Sequence, residues 1–451
     1  MGWRRLVIVR LAIICITLLL ASPCFATNYC VTPTGGASGY TGVDWDHAMK
    51  WNSGANQLTF ARGTGNVYYL ADGDYEGRTL GTAASSTYVI TIRKACATGT
   101  GDSDHVTDTG WSSSMGDGQA TWTGLTTSLY VSTAYWTIDG IFGSGSSASS
   151  YGFYATGSAS ADTTPVRFGS YGDSCSYVQI SHFAVVCPGQ GSDSYSQYGF
   201  SGYGNNVTLS YVYASGCQVS MWTQGNDMTI EHCYLGAFWS TGNHHGVAVE
   251  VILRPIVRHN FFSVCNNMCV EPGGGSTTNI TEGKFYGNIA IDVGVNGFCK
   301  GVSNGEIVDS VFYNNTLVNA TGPLLYPSNY GTGSGNILQN NLLYNCSAGL
   351  AYDQGGEIAT HSYNAFFDSG SPSETGVQVA SGNPFVNSAG GNYHLSFATN
   401  AGYTLSSPYT TDMDGVTRGG DGTWDRGAYE YGSGSASGSL KGVSITGGAF
   451  R

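Results

Sequence analysis

Apolar segments three to six residues long alternate with turns of Gly, Asn and Ser through the middle of the chain, and one short phrase keeps returning. It reads Ile256-Val257-Arg258-His259-Asn260, then Lys284-Phe285-Tyr286-Gly287-Asn288, Val311-Phe312-Tyr313-Asn314-Asn315 and Ile337-Leu338-Gln339-Asn340-Asn341. The four asparagines stand 28, 27 and 26 residues apart. Upstream, Val212 and Cys233 fill the Asn position after Thr208-Leu209 and Thr229-Ile230, and downstream the phrase fades at Ser362-Tyr363-Asn364-Ala365. A unit this small cannot enclose a core of its own, so successive copies must stack to bury their apolar faces. A solenoid is expected.

Segments this short are not helices. Helical repeats also need Ala, Leu, Glu and Lys, whereas only 10% of the chain is charged and 67 of its 451 residues are Gly. Tyr, Val, Thr, Ser and Asn fill the rest, and these are strand and turn residues. The implied fold is all-β, a parallel β-helix with strands of successive rungs about 4.8 Å apart. Equivalent side chains then lie above one another. Asn260, Asn288, Asn315 and Asn341 should form an internal ladder that satisfies turn amides, beside an apolar stack of Val257, Phe285, Phe312 and Leu338.

Residues 1–26 read as a secretory signal peptide. Arg4, Arg5 and Arg10 flank the start of an apolar run over residues 11–20, and Ala26 offers a small residue at the cut. No later apolar run is long enough to span a bilayer, so an exported monomer, extracellular or periplasmic, is expected. Taking three basic residues from a net charge of −13 leaves −16, and the scattered Lys and Arg that remain give no basic face for nucleic acid. Ten cysteines follow the leader, which permits disulfides without deciding their pairing. No Cys-x-x-Cys or local Cys/His spacing points to zinc.

An open solenoid end exposes core and unpaired strand edges, so both ends need caps. Residues 27–135 are expected to hold the N-terminal cap and first strands, with residues 45–49 as a short helix. Residues 136–374 should form the rungs. The 42-residue step from Trp136 to Val178 implies an inserted loop. Residues 375–431 then supply the C-terminal cap, and residues 432–451 a Gly/Ser-rich linker and tail.

The two ends carry more specific signals. Tyr29-x-Val31-x-Pro33 with Gly35-Gly36, Trp45-x-x-Ala48 and the Asp72-Gly73-Asp74-Tyr75 turn open the chain. Asn383-Pro384-Phe385-Val386, Tyr393-His394-Leu395, Asp414-Gly415-x-x-Arg418 and Asp425-x-Gly427-Ala428-Tyr429-Glu430-Tyr431 close it. Together they resemble secreted bacterial right-handed parallel β-helix proteins of the pectate-lyase-like superfamily. The resemblance implies a right-handed parallel β-helix and a protein that binds or degrades polysaccharide, because that superfamily includes polysaccharide lyases, hydrolases, epimerases and adhesins.

Aligning the rungs on their Asn positions yields a second column of Glu250, Glu271, Lys300, Pro327 and Asp353, each after an apolar stretch. Burying such a charge alone is costly, so this column should face outward. His244 and His245 precede Glu250, Asn267 takes the corresponding place one rung on, and Arg254 follows Glu250 by four. The bland reading is surface ion pairing worth under about 1 kcal/mol. The chemical reading is β-elimination across a uronic acid, which needs its carboxylate neutralised, a base for the C5 proton and an acid for the leaving oxygen. Lys300 would be the base with its pKa lowered by Arg254, and His245 would join them. Glu250 and Glu271 would hold a Ca²⁺, while His244, Asn267 and Trp239 would contact an acidic polysaccharide. Acidic calcium ligands beside a Lys and an Arg resemble the site of the alginate lyase and chondroitinase-B group.

Two alternatives remain. Adjacent-rung carboxylates would suit a retaining glycoside hydrolase, although the paired aspartates of polygalacturonase-like enzymes are absent. A non-catalytic cell-surface adhesion module would instead use aromatic turn residues such as Tyr198, Tyr203 and Trp222 to stack on sugars. Asp412-x-Asp414-Gly415 reads as an Asp/Gly turn ahead of a calcium loop, since the terminal Glu is missing.

Overall fold

The computed structural model describes residues 27–63, 65–96, 105, 107–170, 175–188, 196–236, 247–263, 265, 267–273, 279–301, 305–326, 333–350 and 360–432. The expected leader and tail lie outside them. Short strands assemble into three long parallel sheets of 13, 12 and 9 strands. One rung shows the path: Ile256–Arg258 joins the first sheet, Phe261–Ser263 the second and Met268–Pro272 the third, before Lys284–Tyr286 returns to the first. Each of these strands pairs with its counterpart on the next rung. The chain is a right-handed parallel β-helix, the hand that parallel crossover connections adopt.

The repeat stacks as its sequence implies. Val257, Phe285, Phe312 and Leu338 are successive partners in the first sheet, and the Phe285 and Phe312 rings stack at 4.7 Å. At the turn into the second sheet, the backbone N–H and Nδ2 of Asn260 both donate to Oδ1 of Asn288, at 3.1 Å each. Asn288 repeats this on Asn315 and Asn315 on Asn341. Every Nδ2 also reaches a strand carbonyl, as from Asn315 to Phe285 at 2.9 Å. The ladder begins at the Cys233 N–H, which donates to Asn260 at 2.9 Å. It continues through Asn364 and ends on Glu374, whose carboxylate accepts from the Asn364 backbone and Nδ2 at 2.7 and 3.1 Å. The residue before each ladder Asn is left-handed, with φ of 55° at His259, 64° at Gly287, 53° at Asn314 and 58° at Asn340. Gly and Asn adopt that region at low cost, so their recurrence marks the corner.

Strands of all three sheets already occur between Val67 and Val131, so residues 27–135 contribute rungs as well as the end cover. Trp51 and Phe60 close that end, packing against Trp122 and Trp136. Residues 45–49 are not the expected helix. Asp44 accepts the His47 N–H at 2.8 Å, which makes a side-chain-capped turn, and Met49–Lys50 then pairs beside Asn28–Thr32. The long step after Trp136–Asp139 is a full rung, with Phe153–Gly157 in the second sheet and Val166–Phe168 in the third, lengthened by a connection that carries the 3₁₀ turn Ala148–Ser150.

The C-terminal segment lies back along the second sheet. Phe385, Tyr393, Leu395, Met413, Ala428 and Tyr429 cover the outward apolar residues Tyr234, Phe261, Ile289, Val318, Leu342 and Phe367. Arg418 is buried in this segment and ties it together through the carbonyls of Gly427 and Ala428 and the Glu430 carboxylate. Asp412 accepts the N–H groups of Asp414 and Val416, so it builds the turn that its sequence suggests. One disulfide joins Cys187 to Cys217 on neighbouring rungs, and Cys30, Cys175, Cys233, Cys265, Cys269, Cys299 and Cys346 are free and buried. No helix of the described residues is long and apolar enough to cross a membrane.

Candidate functional site

The third sheet has no covering segment of this kind among the described residues, and its outward positions form a continuous stripe. Strand alternation places Phe200, Met221, Val249, Val270, Cys299 and Leu325 in the core. The positions one residue on therefore face away from it. These are Ser201, Trp222, Glu250, Glu271, Lys300 and Tyr326, with Arg167 and Tyr130 continuing the line toward the N-terminal end. From Tyr130 to Tyr326 the stripe runs seven rung steps, roughly 34 Å at about 4.8 Å per step.

Glu250 and Glu271 pair directly in register and hydrogen-bond each other. Neither is the freely exposed charge that the sequence suggests: Glu271 is only 4% exposed and Glu250 half-buried. Burial, reinforced by the Glu271 charge, pushes the Glu250 carboxyl well up, although a hydrogen bond from the Trp222 indole opposes this. Burial also raises Glu271 to about 7, against the pull of Lys300 and Glu250. Both carboxyls are thus pushed toward their protonated forms, and they titrate as a coupled pair. Oε2 of Glu271 is buried and, among the described residues, has no hydrogen-bond partner.

Lys300 stands beside Glu271 on the next rung. Its Nζ donates to Asn296 Oδ1 at 2.6 Å and lies 4.9 Å from the centre of the Tyr326 ring. Asn296 in turn donates to Asn267, so Asn267 joins the site through a relay. Burial lowers the Lys300 pKa, with Glu271 opposing.

Arg254 takes no part in that shift. It ion-pairs with Asp227 at 2.7 Å in the turn that follows Val247–Val251, and both side chains are exposed. The expected role of Arg254 in depressing Lys300 is corrected to desolvation. Arg254 has a left-handed backbone (φ 53°) and donates its N–H to Thr281. It therefore belongs to the corner leading to the first sheet. His244, His245, Trp239, Pro327 and Asp353 lie outside the described residues. Tyr326, not Pro327, is the partner of Lys300.

Sequence alignment on the asparagines missed Arg167 and Tyr130, because no ladder Asn marks their rungs, and Trp222, expected as an aromatic turn residue, stands on the strand Val219–Thr223. Trp222 meets Tyr203 edge-on at 5.3 Å and Tyr198 at 5.8 Å. The Arg167 guanidinium lies 5.0 Å from the Tyr130 ring centre, beside a cavity of about 270 Å³ lined also by Arg78 and Thr79.

Fold and site together define a parallel β-helix with an ionisable stripe along one sheet. Solved structures similar to the chain include pectate lyase Pel9A, with a TM-score of 0.49 and 14% identity over 91% of this chain and 98% of that one. The PL6 family alginate lyase AlyGC gives 0.44 and 14% over 79% of this chain and 53% of that one. The complex of XylC with xylose gives 0.46 and 9% over 90% and 99%. No protein-family model and no curated protein matches the chain.

Proposed function

We propose that the protein is an exported β-helix enzyme that cleaves an acidic polysaccharide by β-elimination along the third-sheet stripe. The observation that carries this reading is the contiguous run Glu250, Glu271 and Lys300 on neighbouring rungs, with raised carboxyl and lowered ammonium pKa values. Those shifts bring the ionisable groups toward neutral pH, where proton transfer is most efficient. Lys300 in its neutral form takes the C5 proton, the C4–C5 double bond forms as the C4–O bond breaks, and the departing oxygen takes its proton from solvent. Asn296 fixes the position of Nζ, and Trp222 and Tyr326 offer ring faces to the flanking sugars.

The carboxyl pair offers the unpartnered Oε2 of Glu271, so Glu250 and Glu271 are the residues that would hold Ca²⁺, which would displace the proton of their mutual hydrogen bond. Bound there, Ca²⁺ would neutralise the uronate carboxylate and make C5 more acidic. Retaining glycoside hydrolysis fits less well. It needs carboxyls about 5–5.5 Å apart with sugar between them, whereas Glu250 and Glu271 hydrogen-bond each other. An adhesion module remains the second reading, favoured by the aromatic residues along the stripe.

Incubation with uronate polymers, with calcium or with chelator, tests the proposal through the absorbance of the unsaturated product. Wild type should generate it, and Lys300→Ala should lose it while retaining substrate binding. Binding without product from any uronate polymer would sink the lyase reading and favour the adhesion module.

A further inference from the structure

A second cluster of ligand-type side chains lies at the N-terminal end, several rungs from Glu250 and Glu271. Cys30 sits on the strand Asn28–Thr32, whereas His105 and Asp108 belong to a turn some 75 residues later. The ligand atoms of the three residues all lie within 4.8 Å of one another. Cys30 is fully buried in a small cluster with Trp45, Ala48 and Tyr69. His105 Nδ1 meets Asp108 Oδ2 at 2.5 Å, while Nε2 is buried with no hydrogen-bond partner among the described residues. Trp45 already holds the turn in place, through its indole N–H on the His105 carbonyl at 2.9 Å and its backbone N–H on Thr109 at 3.0 Å.

We propose that Cys30, His105 and Asp108 form a three-ligand site for a transition-metal ion of the zinc type, which clamps His105 and Asp108 onto the first strand. A thiolate, an imidazole and a carboxylate are the donors such ions take, and the sulfur disfavours calcium and magnesium. Bonds of about 2.0–2.3 Å put tetrahedral ligands roughly 3.5 Å apart. The close His105–Asp108 contact therefore opens by about 1 Å on binding, and wider separations close, which side-chain rotation supplies. The Asp108 side chain is 26% exposed, so solvent reaches the fourth position.

The same trio resembles a Cys-His-Asp nucleophilic arrangement, but burial and the charges of Asp108 and Asp44 push the Cys30 thiol up to about 12. A nucleophile needs the opposite shift. A cation reverses the sign of the local field and displaces the thiol proton.

The test is a cobalt titration of the full exported protein after chelator treatment, read by the near-ultraviolet thiolate-to-cobalt band. One equivalent should saturate the band and zinc should erase it. Cys30→Ser should abolish it, and His105→Gln should weaken binding by about tenfold or more. Cys96→Ser and Glu271→Gln should leave the band intact, which separates this site from the third-sheet carboxyls. If Cys30→Ser fails to fold, Asp108→Asn and His105→Gln, at partly exposed positions, provide the same reading. Absence of the band in wild type, its persistence without the Cys30 thiol, or peptide mapping that finds Cys30 in a disulfide would overturn the proposal.

Discussion

The asparagine ladder and the third-sheet stripe stack side chains at the same rung spacing and treat their polar atoms in opposite ways. In the ladder, the Oδ1 and Nδ2 of Asn260, Asn288, Asn315 and Asn341 are all paired, and the last open donors end on Glu374. In the stripe, two carboxyls face each other with raised pKa values, and one buried oxygen has no partner among the described residues. A stability device satisfies its buried groups, because each orphan costs about 1–3 kcal/mol. A site built to bind or react keeps some of them open and bears that cost in the resting state. Completeness of hydrogen bonding thus separates two columns that look equally regular in sequence.

The strongest way to break this contrast is Asn315→Ala. It removes the acceptor for both donors of Asn288 and the donor to the Phe285 carbonyl and to Asn341. Denaturant unfolding should register a loss of about 4 kcal/mol, and a loss below about 1 kcal/mol would mean the ladder is not a main support. Next comes the pH dependence of the stripe. The folded pKa of Glu271, about 7, lies above its unfolded value of 4.5. The folded state therefore binds more protons between these values, so stability is full below about pH 4.5 and falls as pH rises through about 7. Wild type should lose on the order of 1–3 kcal/mol more than Glu271→Gln over that window, measured as the difference between their unfolding curves. Parallel curves for the two proteins would refute the coupled pair.

Smaller effects sharpen the boundary between the columns. Glu374→Gln puts a donor where the ladder needs an acceptor, and should cost about 1–2 kcal/mol by thermal unfolding. A negligible shift would move the end of the ladder elsewhere. Lys300→Ala should change stability by less than about 1 kcal/mol, because it removes a half-buried side chain from outside the core. Substantial unfolding would make Lys300 a structural residue.

Much of the fold was legible because the ladder rungs keep nearly constant length, so Asn260 to Asn341 could be aligned by counting. Asn364 and the capping Glu374 were harder to see. The phrase decays there, and Glu374 reaches the ladder from a following turn. The same counting located Glu250, Glu271 and Lys300, but slipped by one at Tyr326, since strand length between corners varies. Arg254 was close to Glu250 in sequence and was assigned to it, yet the left-handed turn carries it around the corner to Asp227. Burial of Glu271 was not legible either, because it depends on what the neighbouring rungs stack beside it. Nor could a local motif reveal Cys30 with His105 and Asp108, whose contact is made only by several intervening strands.

The most direct measurement of the central claim is a crystal structure of the Lys300→Ala variant with a uronate oligosaccharide. The sugar should lie along the third sheet between Tyr130 and Tyr326, with one uronate carboxylate at the Glu250–Glu271 pair and its C5 facing the vacated Lys300 position. An oligosaccharide seated on the outer surface of the first sheet, or one that leaves the carboxyl pair untouched, would contradict the account.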